Sequence, residues 1–324
     1  MKTLKNGKIP VIVIAGPTAS GKTAVSVEIA KRFNAEVISA DSMQIYKGMD
    51  IASAKPTADE MQGIEHHLVD FLEPHIKYSV AKFCEDAFHC VEAIRSRNKN
   101  VIVAGGTGLY IDSFVNNIVF EKQEDNEKIR EKIRLRREKE GIEAIYEELR
   151  KIDPETADSL HINNEGRVMR AYETYLLTGE KPSVIRQRSR SSQSPFAPVY
   201  ICLMYEDREK LYDRINKRVD IMLEKGLLKE AEEYFSLDRQ STSSQAIGHK
   251  ELIPYLTGEI SLETAVENLK RSTRNYAKRQ LTWFRRNENM IPVYCDKYDN
   301  FSDMVNAISD IIKKSGLFEE GDIY

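Results

Sequence analysis

The sequence predicts an α/β fold: a parallel sheet flanked by helices, with an inserted all-helical domain. Two observations predict it. Short apolar runs rich in β-branched residues alternate with helical patterns on either side of the chain's middle. Between them lies a charge-rich stretch with helical character and no strand signal.

Val11–Ala15 reads as the first strand, followed by GPTASGKT and a helical pattern over Thr23–Phe33. Val37–Ala40 reads as a strand ending in DSMQ, and Val101–Ala104 as one ending in GGTG. A helix over Ser79–Arg97 separates them. Runs this apolar suit strands buried on both faces, and such sheets gather their site at the strands' C-terminal ends. After about residue 117 the texture changes. EKQEDNEKIREKIRLRREKEGIEAIYEELRKIDPETADSL mixes both signs of charge, as solvated helix faces do. NNEGRVMRAYETYLLTG reads as a helix ending at Gly179, and RQRSRSSQSP as an exposed loop. PVYICLMY then returns to the sheet. The expected organisation is a core of residues 1–116 and 198–324 with a helical insertion at 117–197.

Composition narrows the class. In 324 residues, 41% are hydrophobic and 31% charged, enough for a globular core. A net charge of −3 carries no overall nucleic-acid signal, so that argument rests on local patches. Cys84, Cys90, Cys202 and Cys295 show no CxxC spacing and read as reduced thiols. Val11–Ala15 is too short for a signal core or a membrane span. A cytoplasmic protein away from membranes is expected, and a monomer, since no feature calls for an obligate dimer. Adjacent His66 and His67 rarely point at one ion and read as packing.

Gly16, Pro17, Thr18, Ala19, Ser20, Gly21, Lys22 and Thr23 match G-x-x-x-x-G-K-[ST] between a strand and a helix. The glycines let the backbone curl so that N–H groups and the helix N-terminus face an anion. Lys22 adds a point charge and the Thr23 hydroxyl can hold Mg²⁺. The fold is therefore a P-loop-type sheet, and the ligand a polyphosphate. Most such loops hold ATP or GTP; an isoprenoid diphosphate satisfies the same donors. Asp41, just past a strand end, can serve as Mg²⁺ partner through water, general base or N-cap. Ser42 and Gln44 add hydrogen-bonding capacity beside it.

GPTASGKT, ISADSMQIYKGMDIASAKP, HHLVDF, VAGGTGLY, RINKRVDIMLEKGLLKE, QAIGHKE and AKRQLTWFRR follow one another from about residue 11 to 290. In that order they resemble the tRNA dimethylallyltransferase (tRNA isopentenyltransferase) family of the shorter, bacterial type. The resemblance implies transfer of a dimethylallyl group from dimethylallyl diphosphate to the exocyclic N6 amine of the adenine 3′ to the anticodon, position 37. Diphosphate leaves whole, with Mg²⁺ as cofactor. It implies that Asp41 is the base, that Thr107 bonds the leaving oxygens, and that Arg218 contacts the diphosphate.

The acceptor adenine must leave its stack, as base-modifying enzymes require. By the same resemblance, tRNA is contacted by Asp41, Ser42, Met43, Gln44 and Thr107, by Arg130, and by Gly166, Arg167, Val168, Met169 and Arg170. Gln245, Ala246, Ile247, Gly248, His249 and Lys250 form a further stretch, with Arg279 and Gln280 near the site. Two positions depart from the family pattern. Gly166-Arg167 stands where many members have Gln-Arg, and His249 where many have an aromatic; a histidine can still stack on a base. Lys270, Arg271, Arg274, Lys278, Arg279, Arg285 and Arg286 form a basic run. In it Trp283 and Phe284 read as core at helical spacing. Arg186, Arg188 and Arg190 are weaker phosphate contacts.

The competing readings are a P-loop small-molecule kinase, and an adenylate isopentenyltransferase that prenylates a free nucleotide. A non-enzymatic RNA binder with a vestigial loop is disfavoured by the intact Lys22, Thr23 and Asp41. The helical insertion and the basic C-terminal helix favour a macromolecular acceptor.

Overall fold

The computed structural model describes residues 7–120, 126–235 and 246–318. Six parallel strands form one sheet: β1 (Ile9–Ala15), β2 (Ala35–Ser39), β3 (His66–His67), β4 (Asn100–Gly105), β5 (Phe196–Met204) and β6 (Ile291–Tyr294). Their order is β3-β2-β4-β1-β5-β6, so β1 lies between two neighbours reached by crossovers. The α/β class is as expected. Strands β3 and β6 were not legible in the sequence. The first has two residues and the second four, too short for any period to show. Pro292 lies in β6 opposite Cys202, and an edge strand tolerates it.

The described residues divide into two compact units, one within Met1–Val115 and Ser194–Tyr324 and the other within Asn116–Gln193. In the first unit the helices are α1 (Lys22–Arg32), α2 (Ala58–Met61), α3 (Val80–Ser96) and α4 (Gly108–Val115). The second unit holds α5 (Glu127–Ile152), α6 (Pro154–Asp158), α7 (Glu165–Thr178) and α8 (Pro182–Ser189). The first unit resumes with α9 (Arg208–Glu224), α10 (Leu227–Phe235), α11 (His249–Leu256), α12 (Leu262–Phe284) and α13 (Phe301–Lys314). Strand β5 starts at Phe196 rather than Pro198, and Ser194 Oγ donates to the Val115 carbonyl at 2.5 Å. That bond closes the first unit where the chain leaves and re-enters it.

Burial explains the sheet. Val11 to Ala15 have no exposure, and Ile12, Ile14, Ile201 and Leu203 pack with Ile29 and Phe33 of the α1 region and Ile308 and Ile312 of α13. A second cluster is aromatic: Phe114 lies 4.6 Å from Phe196 and 5.2 Å from Phe88, ring centre to ring centre. Such pairs add directional attraction to the burial of large apolar area. Helix α3 starts where expected, since the Ser79 side chain accepts from the Lys82 N–H.

In the second unit, Ile133, Ile145, Leu149, Ala157, Val168 and Tyr172 make a core of their own. Asp153 accepts from the Thr156 and Ser183 N–H groups at 3.1 and 2.7 Å, joining α6 to the start of α8. Helix α5 is kinked at Gly141.

Candidate active site

Three segments that end strands in the first unit converge. GPTASGKT follows β1, Asp41 follows β2, and GGTG follows β4, all at the C-terminal edge. Beside them opens a cavity of about 550 Å³. Its lining includes Thr18, Gly21, Lys22, Thr23, Asp41, Ser42, Met43, Gln44 and Arg218. Ala246, Ile247, Gly248, Lys250, Arg279 and Gln280 complete the sequence-derived set on its walls. Gln245 lies outside the described residues.

Cations gather at the loop. Lys22 Nζ donates to the Pro17 carbonyl at 2.7 Å, folding the side chain over its own loop. Burial, with the nearby Arg218 charge, pulls its pKa down to about 8, against the pull of Asp41. Burial also lowers the pKa of Arg218, which Asp41 and Glu60 oppose. Lys22, Arg218 and Asp41 thus share one electrostatic environment. Arg214, one turn before Arg218 on α9, donates from Nε to the Ala19 carbonyl at 3.0 Å. Among the described residues none of these three cations has a carboxylate at ion-pair distance, so an anion here would be drawn to unspent charge.

Asp41 Oδ1 accepts from the Met43 N–H at 2.8 Å and the Gln44 N–H at 3.3 Å, which fixes the turn after β2. Among the described residues no hydrogen bond engages its other oxygen. The cap role and the base role therefore do not compete for one atom. Thr107 stands just behind the wall. Its Oγ1 accepts from the Ser42 N–H at 3.1 Å, and its own N–H donates to the Ala40 carbonyl at 3.1 Å. Here β4 runs close against the end of β2. A Cβ on Gly105 would lie 2.1 Å from the Ala40 oxygen, so only glycine fits.

The structure corrects several expected contacts. Gln280 is buried; its Oε1 accepts from the Thr18 N–H at 2.9 Å and its Nε2 donates to the Gly106 carbonyl at 2.9 Å. The amide joins the phosphate loop to GGTG, so at the cavity wall it acts as a brace between the two segments. Gln44 likewise accepts from Ser39 Oγ at 3.0 Å and donates to the Ala54 carbonyl at 3.1 Å. His249 is 2% exposed; its Nε2 meets Glu230 Oε1 at 2.9 Å and its ring leans on Tyr234, centres 4.7 Å apart. It is packed inside and does not present a face for stacking on a base. In the second unit Val168 has no exposure and belongs to that unit's core, with Met169 packed against it. Gly166, Arg167 and Arg170 are exposed. Arg130 and Arg170 both pair with the buried Glu173, each at 2.7 Å.

Tyr276 was missed as a site residue. Placed one turn before Gln280 on α12, it lines the cavity with Asp41, Arg279 and Gln280. Burial and the Asp41 charge raise its pKa, so it stays neutral. Arg279 lies over its ring, 5.7 Å from the centroid. Spacing on α12 could have tied Tyr276 to Gln280, but nothing local pointed that face at the cavity. Phe284 is buried, and Trp283 donates from Nε1 to Asp112 at 2.6 Å, so this pair is structural as read. His67 packs by bonding the buried Glu36 at 2.7 Å.

The IPP transferase family model matches residues 44–287. The chain belongs to the IPP transferase family. It is similar to a tRNA dimethylallyltransferase of Acetivibrio thermocellus, 46% identical over 95% of this chain and 99% of the relative. A tRNA dimethylallyltransferase of Caldanaerobacter subterraneus subsp. tengcongensis is 44% identical over 94% and 98%. Among solved structures, the tRNA isopentenylpyrophosphate transferase of Bacillus halodurans superposes with a TM-score of 0.69 at 41% identity. That alignment covers 95% of this chain and 98% of the other. A eukaryotic dimethylallyltransferase acting on tRNA superposes with a TM-score of 0.79 at 32% identity, over 95% and 80%. Among the described residues of this IPP transferase, no helix is long and apolar enough to cross a membrane.

Proposed function

We infer that the chain is a tRNA dimethylallyltransferase. The donor is dimethylallyl diphosphate and the acceptor is the N6 amine of the adenine at position 37. The observation that carries this reading is that a carboxylate, Asp41, lines the same cavity as Lys22 and Arg218, near enough for its charge to act on both. That pairing sets a proton acceptor beside a leaving-group holder.

In this reading the loop amides, Lys22 and Arg218 bind the diphosphate and stabilise charge as it departs with the electrons of the allylic C–O bond. The adenine lone pair forms the new C–N bond, and Asp41 takes the amine's proton. Delocalisation makes that amine a weak nucleophile, so a positioned base matters, by about 10²–10⁴-fold. Thr107, fixed by the Ser42 N–H, orients the leaving oxygens. Among the described residues no cluster of His, Cys, Asp and Glu could hold a metal alone. Thr23, at the cavity, fits Mg²⁺, which takes one or two protein ligands plus phosphate oxygens. Bound there, it supplies further neutralisation of the leaving group. The acceptor tRNA also meets exposed Arg167 and Arg170 on the second unit.

The test is incubation with labelled dimethylallyl diphosphate and bulk tRNA, followed by nucleoside analysis. Label on adenosine in tRNA is expected. Label on free AMP instead would favour the adenylate reading, and tRNA-independent ATP turnover with no prenyl transfer would favour a kinase.

A further inference from the structure

Glu230 lies on α10, at the end of the segment RINKRVDIMLEKGLLKE, where the sequence assigned it no role. Its carboxylate is the most heavily used acceptor near the cavity. Oε2 accepts from the Asp50 and Ile51 N–H groups at 2.9 and 2.7 Å, and Oε1 from the Ala52 N–H at 2.9 Å. His249 Nε2 meets Oε1 at 2.9 Å from the other side. Three consecutive amides of an irregular loop and the first residue of α11 therefore converge on one side chain, itself 10% exposed. Burial would favour the neutral acid, but the bonds from His249, Ile51 and Ala52 prevail and hold it as a carboxylate.

Both segments it joins are cavity wall. Ala52 and Ser53 line it from the loop, and Ile247, Gly248 and Lys250 from the start of α11. The two touch: a Cβ on Gly248 would lie 3.0 Å from the Ala52 Cβ, at a φ of +121°. Each segment is also closed on itself: the Gly248 N–H donates to Glu251 Oε2 at 2.9 Å, and in the loop the Ala54 and Lys55 N–H groups donate to the Ile51 and Asp50 carbonyls at 3.0 and 2.9 Å. The carboxylate satisfies the loop's three remaining amides and ties that loop to α11.

We propose that Glu230 is a positioning residue that sets the acceptor wall of the cavity and, with it, the fit of the adenine nucleotide. The proposal rests on the reading of the site as a tRNA prenyltransferase. It separates the two walls: the phosphate loop, across the cavity, owes nothing to Glu230, so donor binding stays as it is when the carboxylate is changed. Glu230→Gln keeps the shape but turns an N–H₂ toward backbone N–H donors. His249→Phe keeps a ring against Tyr234 and removes one donor from the carboxylate.

The experiment is steady-state kinetics on the full chain with an anticodon stem-loop and dimethylallyl diphosphate, alongside thermal melting and stem-loop binding. For Glu230→Gln, the KM and Kd for the stem-loop are expected to rise about tenfold, as for loss of a charge-assisted bond. The KM for the diphosphate stays within about twofold, and His249→Phe shows the same split at about threefold. A lowered melting temperature with both KM values unchanged would make Glu230 merely structural and overturn the proposal. Should Glu230→Gln not fold, an unchanged stem-loop KM in His249→Phe overturns it equally. A wild-type chain that transfers nothing to tRNA refutes the functional reading instead, so the two failures are distinguishable.

Discussion

The helical unit and the phosphate loop treat their cations in opposite ways. In the described part of Asn116–Gln193, Arg134 pairs with Glu131, Arg136 with Glu140 and Glu148, Arg137 with Glu165 and Arg186 with Glu155. At the loop, Lys22 and Arg214 donate to the Pro17 and Ala19 carbonyls, and neither they nor Arg218 has a carboxylate at ion-pair distance among the described residues. Exposed ion pairs hold a helix surface in place at small gain, about 0–1 kcal/mol each. Arg214 is exposed, but Lys22 and Arg218 are drawn from water without a partner, which costs stability that a bound anion offsets. Charge pairing thus separates cations that serve the fold from cations that await a ligand.

The largest effect is expected at Asp41, the carboxylate whose charge acts on both Lys22 and Arg218. Asp41→Asn keeps an oxygen for the Met43 and Gln44 N–H groups, so the turn is expected to survive. Transfer rate is expected to fall by about 10²–10⁴-fold, with tRNA affinity within a few-fold. Single-turnover rates at saturating donor read this directly; a variant that kept most of its turnover would remove Asp41 as base. Arg218→Ala comes next. Losing a charge-assisted contact to diphosphate raises the donor KM by about 10–100-fold and leaves the stem-loop KM within about twofold. Unchanged donor kinetics would place Arg218 among the structural cations instead.

How much of this was legible follows from how far apart the partners lie in sequence. Lys22 and Thr23 belong to one contiguous motif, and Asp41 and Thr107 follow apolar strands, so local pattern placed them. Glu230 bonds a loop about 180 residues away and Gln280 bonds Thr18 and Gly106, 262 and 174 residues away, while Tyr276 joins the same cavity wall; no period or turn signal encodes these. The stacking role expected of His249 came from the family pattern, which has an aromatic there; only its burial against Glu230 and Tyr234 shows the ring facing inward. Val168 went wrong for the opposite reason, being one buried position inside an exposed helical stretch. The P-loop sheet needed only two clear strands to be recognised, while β3 and β6 needed the pairing partners that the fold supplies.

The comparison also makes a prediction in pH. In the free protein Lys22 loses its proton near pH 8, because burial and Arg218 disfavour the charge. Above that pH the loop loses a cation, so affinity for inorganic diphosphate is expected to fall by about tenfold per pH unit relative to a Lys22→Arg variant. Stability moves the other way. The unfolded lysine holds its proton to about 10.5, so between pH 8 and 10.5 the unfolded state binds more protons and the unliganded fold gains from this group as pH rises. Calorimetric titration with diphosphate at pH 7 and 9 reads the first effect. Equal ratios for wild type and Lys22→Arg would show that Lys22 is not a charge held for the ligand.

The smallest effect asks whether the rule reaches into the helical unit. There Arg167 is exposed and, unlike Arg134, has no ion-pair partner among the described residues. If pairing sorts cations by purpose, Arg167→Ala should weaken tRNA binding by a few-fold and lower the slope of log affinity against log salt by about one. Arg134→Ala, exposed but tied to Glu131, should leave both unchanged and shift stability by no more than about 0.5 kcal/mol. Arg170 lies between these cases, since its partner Glu173 is buried and shared with Arg130. Removing Arg170 leaves that carboxylate one donor short inside the unit, so a stability loss accompanies any loss of binding. Salt-dependent binding of a stem-loop to the three variants orders them Arg167, Arg170, Arg134. An equal loss from Arg134→Ala would mean that surface pairs in this unit are loose enough to be recruited by RNA, and that charge pairing distinguishes purpose only where the cations are buried.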